Sequence, residues 1–218
     1  IAQAVVVISK NANVATGGEG LANAREVVAG VAAAIGCAAD DVLIASTGVI
    51  GRQYPMDRVR DGLGVIPCPL PSVDADLVAT GIMTTDTVAK VAATSVRQAR
   101  IVGVAKGVGM IEPNMATLIT LLFTDAGLTS DQLEPIFTRV MDRTFNCVSI
   151  DTDTSTSDTA IIMASGAAGA VDLDAFEAGL YEVAESLTKQ VARDGEGAEK
   201  LIEVTVDQAA SPQHRQMR

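Results

Sequence analysis

The chain has 218 residues, of which 16 are Lys or Arg and 27 are Asp or Glu, so its net charge is −11 at pH 7. This length allows one large domain or two small ones, and the 48% of hydrophobic residues excludes an intrinsically disordered chain. The acidity argues against a nucleic-acid surface and a polybasic membrane patch, and no apolar run reaches the roughly 20 residues of a bilayer span.

Helical and strand patterns alternate along the chain. Runs rich in Val, Ile, Leu and Ala predict strands, and apolar residues spaced by three and four predict helices. The predicted strands are residues 4–9, 41–46, 77–83, 99–105, 118–124, 160–164 and 200–207. The predicted helices are residues 20–36, 129–143 and 172–193, the second of which opens on the capping-box pair Thr129 and Gln132. This alternation predicts a mixed α/β protein in which helices cover a sheet core.

Cysteine and histidine are scarce in this chain, which limits the metal sites and catalytic groups that it could form. The chain has three cysteines, Cys37, Cys68 and Cys147, without a CxxC pair, and one histidine, His214, in a polar tail. This set cannot supply a four-ligand Cys/His metal site, and a Ser-His-Asp or Cys-His catalytic set would have to recruit His214. We therefore expect no bound metal and a catalytic base other than histidine. The odd, widely spaced cysteines favour a reducing compartment, and hence a cytoplasmic protein.

The most unusual stretch is KGVGMIEPNMAT, in which a Gly-rich loop with Lys106 leads through a proline turn to Thr117. One interpretation is an ordinary loop–strand junction, with a threonine suited to a strand. A phosphate loop is disfavoured because GxxxxGK[ST] is missing and a strand follows. In a third interpretation, cleavage of the Ala116–Thr117 bond makes Thr117 an N-terminal residue. Its own α-amine, with an ordinary pKa of about 8, then serves as the base for its hydroxyl.

Six stretches, in order along the chain, resemble the ornithine acetyltransferases, also called the bifunctional glutamate N-acetyltransferases of arginine biosynthesis. They are NANVATG at residues 11–17, STGVIG at 46–51, GIMTTDT at 81–87, KGVGMIEPNMAT at 106–117, DTDTSTSD at 151–158 and DGEGA at 194–198. The segments NANVATG, GVIGRQYPM and AKGVGM are similar to the sequences of the family branch found in clavulanic acid gene clusters. Family members are longer at both ends, so we expect the family's N-terminal strands and C-terminal portion to lie outside this sequence.

The resemblance implies a role for each of several residues. Thr117 would be the self-liberated nucleophile that carries the acetyl group as an ester. Thr47 and Gly48 would form the oxyanion hole, which suits a glycine turn that can aim an N–H and a hydroxyl at a developing negative charge. Lys106 and Thr84 would bind the substrate, Lys106 by pairing with an α-carboxylate.

The last of the six stretches supplies the other substrate contact that the resemblance implies. Glu196 would meet the α-ammonium of ornithine or glutamate, and Glu199 is the alternative for that role. On composition alone, the same DGEG stretch is also typical of a helix end with glycine in the left-handed conformation.

The resemblance implies an αββα sandwich of the self-processing, N-terminal-nucleophile type. Cleavage would give residues 1–116 and 117–218, which together form one main domain and associate as a heterotetramer or larger assembly. The implied reaction moves an acetyl group from N-acetylornithine to glutamate by a ping-pong route through acetyl-Thr117. It needs no cofactor, and acetyl-CoA stays open as an alternative acetyl donor.

Two other functions compete with this one. The first is a self-processing aminopeptidase or amidohydrolase of the same fold, in which water resolves the acyl-enzyme; Lys106 and Glu196 favour an amino-acid acceptor instead. The second is a non-catalytic α/β binding module in which Thr117 is only a strand residue. The covalent state of the Ala116–Thr117 bond separates the second from the self-processing enzymes.

Overall fold

A computed structural model of the protein describes residues 2–72, 74–111, 118–151 and 153–206. The strands are β1 (Ala4–Asn11), β2 (Val42–Val49), β3 (Lys90–Val96), β4 (Ala99–Lys106), β5 (Ile119–Gly127) and β6 (Thr159–Ala170). The helices are α1 (Gly17–Ile35), α2 (Met56–Leu63), α3 (Ala75–Ile82), α4 (Ser130–Arg143) and α5 (Leu173–Arg193). None of the helices in these ranges has the length and apolarity that crossing a bilayer requires.

The strands form two sheets. β1 and β2 pair in parallel, from Ala4 opposite Val42 to Asn11 opposite Val49. The second sheet has the order β3-β4-β5-β6, in which β3, β4 and β5 are antiparallel neighbours and β6 is parallel to β5. A parallel neighbour needs a crossover connection, and α4 lies in the segment that joins β5 to β6.

The outer face of the two-stranded sheet is covered by α1. Ala4 and Val6 of β1 and Val42 of β2 pack with Val31 and Ala32, which lie on the buried stripe of α1. Gly36 ends this helix in the left-handed conformation, at a φ of 78°, as the sequence predicts.

The inner face of the two-stranded sheet packs on the four-stranded sheet. Val5 and Val7, which alternate with the outward residues of β1, share a cluster with Ala45 of β2, Val104 of β4 and Leu121 of β5. Helix α3 joins the same cluster through its buried residues.

The far face of the four-stranded sheet is covered by α5 and α4. Phe176, Leu180 and Leu187 of α5 are fully buried and pack with Ile101 of β4 and Leu122 of β5. The layers therefore run helix, sheet, sheet, helix, which confirms the predicted αββα architecture.

Two of the strand predictions are wrong. Residues 77–83 were expected to form a strand, but this segment lies in α3, where the Asp74 side chain accepts a hydrogen bond from the Asp76 N–H at 3.2 Å. Residues 200–206, in the described part of the last predicted strand, form no strand, and Ile202 and Val204 are exposed. The sequence patterns also missed α2 and β3.

Candidate active site

The candidate site lies at the carboxyl ends of β1 and β2, where Thr47 and Gly48 are located. Thr47 of β2 is fully buried, and its Oγ1 accepts a hydrogen bond from Lys106 Nζ at 3.2 Å. The Thr47 hydroxyl hydrogen is left to be donated elsewhere, since its oxygen is the acceptor of this bond. Gly48 follows at a φ of 129°, and a Cβ built there would lie 2.3 Å from the carbonyl carbon of Lys10. Only glycine therefore lets β2 approach β1 this closely.

Thr84 is brought to the same end of the sheet by contacts from β1. Ser9 Oγ donates to the Met83 carbonyl at 2.7 Å, and Lys10 Nζ donates to the Thr84 carbonyl at 3.1 Å. The C-terminal end of α3 is thus fastened to the carboxyl end of β1, which places Thr84 beside the strands that carry Thr47 and Gly48.

Asp86 connects this segment to the Gly-rich stretch after β4. Its Oδ2 accepts from the Thr84 N–H at 3.0 Å, and its Oδ1 accepts from the Gly107 N–H at 2.7 Å. Burial would raise the pKa of Asp86, but the Lys90 ammonium and these two N–H groups outweigh it and hold the pKa below its usual value. The carboxylate is therefore charged, and it holds two backbone segments together.

Lys90, the first residue of β3, lies between two carboxylates. Its Nζ is 2.8 Å from Asp86 Oδ1 and 2.6 Å from Asp194 Oδ2. Asp194, directly after α5, also accepts from the Thr87 N–H at 3.0 Å and from the Thr87 hydroxyl. Burial would raise the pKa of Asp194, but Lys90 and Thr87 lower it below its usual value. These contacts bind the end of α5 to the segment that follows Asp86.

Glu196 reaches the Gly-rich stretch from the end of α5. Its N–H donates to the Val108 carbonyl at 2.5 Å, and its carboxylate lies over Gly109, where a built Cβ would be 3.1 Å from Glu196 Oε2. Asp151 holds the next turn, because its carboxylate accepts from the N–H groups of Met110 and Ile111. Residues 108–111 are thus fixed between two acidic segments.

Lys106 is a buried cation, with 2% of its surface exposed. Burial lowers the pKa of its ammonium, and the Lys90 charge lowers it further, whereas Asp86 and Asp158 raise it. The net direction is down. A buried ammonium of this kind suits the binding of a carboxylate, because a nearby negative charge stabilises the charged form that burial disfavours.

Asp158 is a site residue that the sequence reasoning did not single out. Its Oδ1 accepts from the Leu118 N–H at 2.8 Å, and its Oδ2 is buried without a hydrogen-bond partner among the described residues. Burial raises the pKa of Asp158 to about 6, against the lowering effects of the Leu118 N–H, the Lys106 charge and the Ser155 hydroxyl. Asp158 is thus bonded to Leu118, the residue that follows Thr117 in the sequence.

The structure brings five of the predicted site residues to one region, and their roles stay predictions. They are Thr47, Gly48, Thr84, Lys106 and Glu196. The predicted cleavage site and nucleophile, Ala116 and Thr117, lie outside the described residues. Glu196 and Glu199 are both exposed, and the contact over Gly109 is made by Glu196.

The sequence reasoning also missed Asp86, Lys90 and Asp194. A signal was present for Lys90, since a lone charge in the otherwise apolar run VAKVAA is typical of a buried, paired lysine. Across the described ranges, no group of three or more His, Cys, Asp or Glu is arranged to hold a metal ion.

Comparison with known proteins identifies the family. The model of the ArgJ family matches residues 1–217. The chain belongs to the ArgJ family. Among curated ArgJ relatives, the "Arginine biosynthesis bifunctional protein ArgJ 2" of Nostoc sp. is 56% identical over 210 residues, which cover 96% of this chain and 54% of that protein. The "Glutamate N-acetyltransferase Oat2" of Streptomyces clavuligerus is 57% identical over 205 residues, covering 94% and 52%. The chain spans about half the length of these relatives.

Two solved structures of ArgJ proteins are similar to part of the chain. The ArgJ of Bacillus halodurans is 34% identical, covers 51% of this chain and 61% of its own, and gives a TM-score of 0.43. The ornithine acetyltransferase of Mycobacterium tuberculosis, solved in complex with ornithine, is 30% identical, covers 52% and 62%, and gives a TM-score of 0.42.

Proposed function

We propose that this chain is part of an acetyltransferase that moves an acetyl group from N-acetylornithine to glutamate. The observation that carries the proposal is the match of the ArgJ family model to residues 1–217. The names of the two curated relatives, a bifunctional protein of arginine biosynthesis and a glutamate N-acetyltransferase, support it. The proximity of Thr47, Lys106 and Glu196 in one region also supports the proposal.

The enzyme first cuts itself between Ala116 and Thr117. The Thr117 hydroxyl attacks the Ala116 carbonyl, the amide C–N bond breaks, and the acyl group moves from nitrogen to oxygen. Water then hydrolyses the ester, which returns the hydroxyl and frees the Thr117 α-amine. The freed amine acts as the catalytic base, a task that falls to histidine in many enzymes but for which this sequence offers only His214.

Acetyl transfer follows in two half-reactions. Thr117 Oγ gives its proton to the α-amine and attacks the acetyl carbonyl of N-acetylornithine, and the amide bond breaks as ornithine leaves with a proton on its nitrogen. The glutamate amine then attacks the acetyl ester. The ester bond breaks, Thr117 Oγ recovers a proton, and N-acetylglutamate is released.

The described residues divide the other tasks. The Thr47 hydroxyl and the Gly48 N–H stabilise the oxyanion of each tetrahedral intermediate. Lys106 pairs with the substrate α-carboxylate, and Thr84 completes that contact. Glu196 meets the α-ammonium of ornithine or glutamate, a role for which its place over Gly109 favours it over Glu199.

The reaction needs no cofactor, because the acetyl group passes directly between amino acids through an ester. Acetyl-CoA is the alternative acetyl donor that a direct assay would distinguish. We propose that residues 1–116 and 117–218 stay associated in a heterotetramer or larger assembly in the cytoplasm, the compartment that the odd number of cysteines favours.

The experiment that tests the proposal compares Thr117→Ala with Thr117→Ser in the full-length protein. We expect Thr117→Ala to abolish cleavage and to lower acetyl transfer by about 10³-fold or more, because it removes the nucleophilic oxygen. Thr117→Ser keeps that oxygen and should retain cleavage and a measurable rate. Intact mass and N-terminal sequencing report the cleavage, and formation of N-acetylglutamate reports the transfer.

Two outcomes would contradict the proposal. A wild-type protein that transfers acetyl groups with the Ala116–Thr117 bond intact would remove self-cleavage from the mechanism. Release of acetate without N-acetylglutamate would identify a hydrolase of the same fold in place of a transferase.

A further inference from the structure

Three charged residues form a buried ion triad beneath the candidate site. Lys90 Nζ lies 2.8 Å from Asp86 and 2.6 Å from Asp194. The side chains of Lys90 and Asp86 are 0% exposed and that of Asp194 is 6% exposed. The three residues come from the loop after α3, the start of β3 and the end of α5. Residues far apart in sequence are thereby locked together where the candidate site is built.

Each carboxylate of the triad lies close along the backbone to a predicted substrate contact, through a hydrogen bond for Asp86 and through the chain itself for Asp194. Asp86 accepts the N–H of Thr84 itself and the N–H of Gly107, which follows Lys106 directly. Asp194 lies two residues before Glu196, whose N–H bonds to the Val108 carbonyl. The triad is therefore linked by one or two residues of backbone to all three predicted substrate contacts.

The burial of Lys90 between two carboxylates is poorly explained by a contribution to folding stability alone. Bringing a lysine and two carboxylates out of water costs free energy that cancels much of their mutual attraction, so a buried ion pair is a weak source of stability. A set of short, charged hydrogen bonds does fix geometry, and substrate contacts need to be held to within a fraction of an ångström.

We propose that the Asp86–Lys90–Asp194 triad is a positioning device that sets the spacing of Thr84, Lys106 and Glu196 for an α-amino acid. The inference rests on the proposed function, because it takes the substrate class from it. The three triad residues do not touch the substrate; they act through the residues beside them.

The first test changes Thr87, an exposed residue whose N–H and hydroxyl both donate to Asp194. Thr87→Val removes the hydroxyl donor and leaves the ion pairs in place, whereas Thr87→Ser keeps the donor. In the full-length enzyme we expect Thr87→Val to raise the KM for glutamate and N-acetylornithine by up to about tenfold, the limit reached if the whole hydrogen bond to the charged Asp194 serves to position Glu196. The kcat should change by less than about threefold, and Thr87→Ser should restore the wild-type KM.

The second test compares the two ends of α5. Asp194→Asn weakens the triad at the C-terminal end, and Asp172→Ala removes the N-cap, whose side chain accepts from the Ala175 N–H at 2.9 Å. Both variants should lower the stability of the fold, Asp172→Ala through the lost cap and Asp194→Asn through the weakened triad, but only Asp194→Asn should raise the KM, again by about tenfold. Thermal unfolding of both variants measures how much stability each has lost, so that a change in KM can be compared at a known loss of stability.

The outcomes separate the inference from the proposed function. An active wild type whose KM is unchanged by Thr87→Val and Asp194→Asn, or is raised equally by Asp172→Ala, overturns the positioning role and leaves the transferase in place. A wild type that binds ornithine in calorimetry without acetyl transfer overturns the proposed function, and the same variants then test the triad by their ornithine affinity. A wild type that neither binds nor transfers overturns both.

Discussion

At the scale of single residues, Asp158 shows how burial changes the chemistry of a carboxyl group. One of its oxygens accepts the Leu118 N–H, and the other is buried without a hydrogen-bond partner within the described part of the chain. Water would normally stabilise the charge on that oxygen. Its loss makes the protonated form relatively more stable, which is why the pKa rises to about 6.

This shift predicts a pH-dependent contribution to stability. The folded protein holds the Asp158 proton more tightly than the unfolded chain, so the contribution favours folding at about pH 4 and is lost as the pH rises through about 6. Asp158→Asn removes the titration. Because Asp158 as a whole is only half-buried, we expect the variant to be more stable than wild type by only about 1 kcal/mol at pH 8, with the gain absent at pH 4.

Urea unfolding at the two pH values measures the Asp158 effect. The control is Asp153→Asn, which removes an exposed carboxylate from the same loop and should give no comparable gain at pH 8. An Asp158→Asn variant that is less stable than wild type at pH 8 would show that the charged form is favoured in the fold, contrary to the expected direction.

At the scale of elements, the pairing of β1 with β2 depends on one glycine. Lys10 and Gly48 are opposite each other in the ladder, and both have positive φ values, 81° and 129°. A methyl group on Gly48 would lie 2.3 Å from the Lys10 carbonyl carbon, a distance that no side-chain rotation can relieve because both partners are backbone. The end of the two-stranded sheet, where Thr47 lies, would have to open.

Gly48→Ala should therefore destabilise the full-length protein by about 3 kcal/mol or more, through backbone strain and the steric clash together. The matched control is Gly51→Ala, since Gly51 also has a positive φ, 78°, but has no atom within 4 Å of the built Cβ. That control should lose only about 1 kcal/mol. Urea midpoints of the two variants compare them directly, and equal losses would show that the contact with Lys10 is unimportant.

The helices and strands also show which features of secondary structure can be predicted from the sequence. Long periodic segments such as α5 and the apolar run of β5 are predicted closely, because burial of one face or both dominates their composition. α3 was predicted as a strand because ADLVATGI is short and apolar, and a short apolar run does not distinguish the two periods. Its Asp74 cap was the signal that could have corrected the prediction.

At the scale of the whole molecule, the candidate site is built by contacts between residues far apart in sequence. Lys106 reaches Thr47 across 59 positions, and Lys90 reaches Asp194 across 104. The resemblance of local stretches to a family pointed to Lys106 and Thr47, but it carried no indication that Lys90 lies between two carboxylates. Such pairing depends on how the sheets and α5 stack, which no local pattern encodes.

The antiparallel ladder between β4 and β5 has a consequence for a chain nicked after residue 116. The ladder runs from Ile101 opposite Thr124 to Lys106 opposite Ile119, and the nick would fall in the connection between its two strands. The amino-terminal piece would keep β3 and β4, and the carboxyl-terminal piece would keep β5, β6 and α5, so that a single hydrophobic core would be shared by two polypeptides.

We therefore expect the two pieces to elute as one species in native gel filtration and to separate only in denaturant, as a pair of bands on a denaturing gel. The pieces would come apart at the same urea concentration at which the core unfolds, since separating them exposes the same apolar surface. Elution of the pieces as two species without denaturant would show that the shared core does not hold them. Self-cleavage in this architecture would create two new chain ends while the two pieces remain one folded molecule.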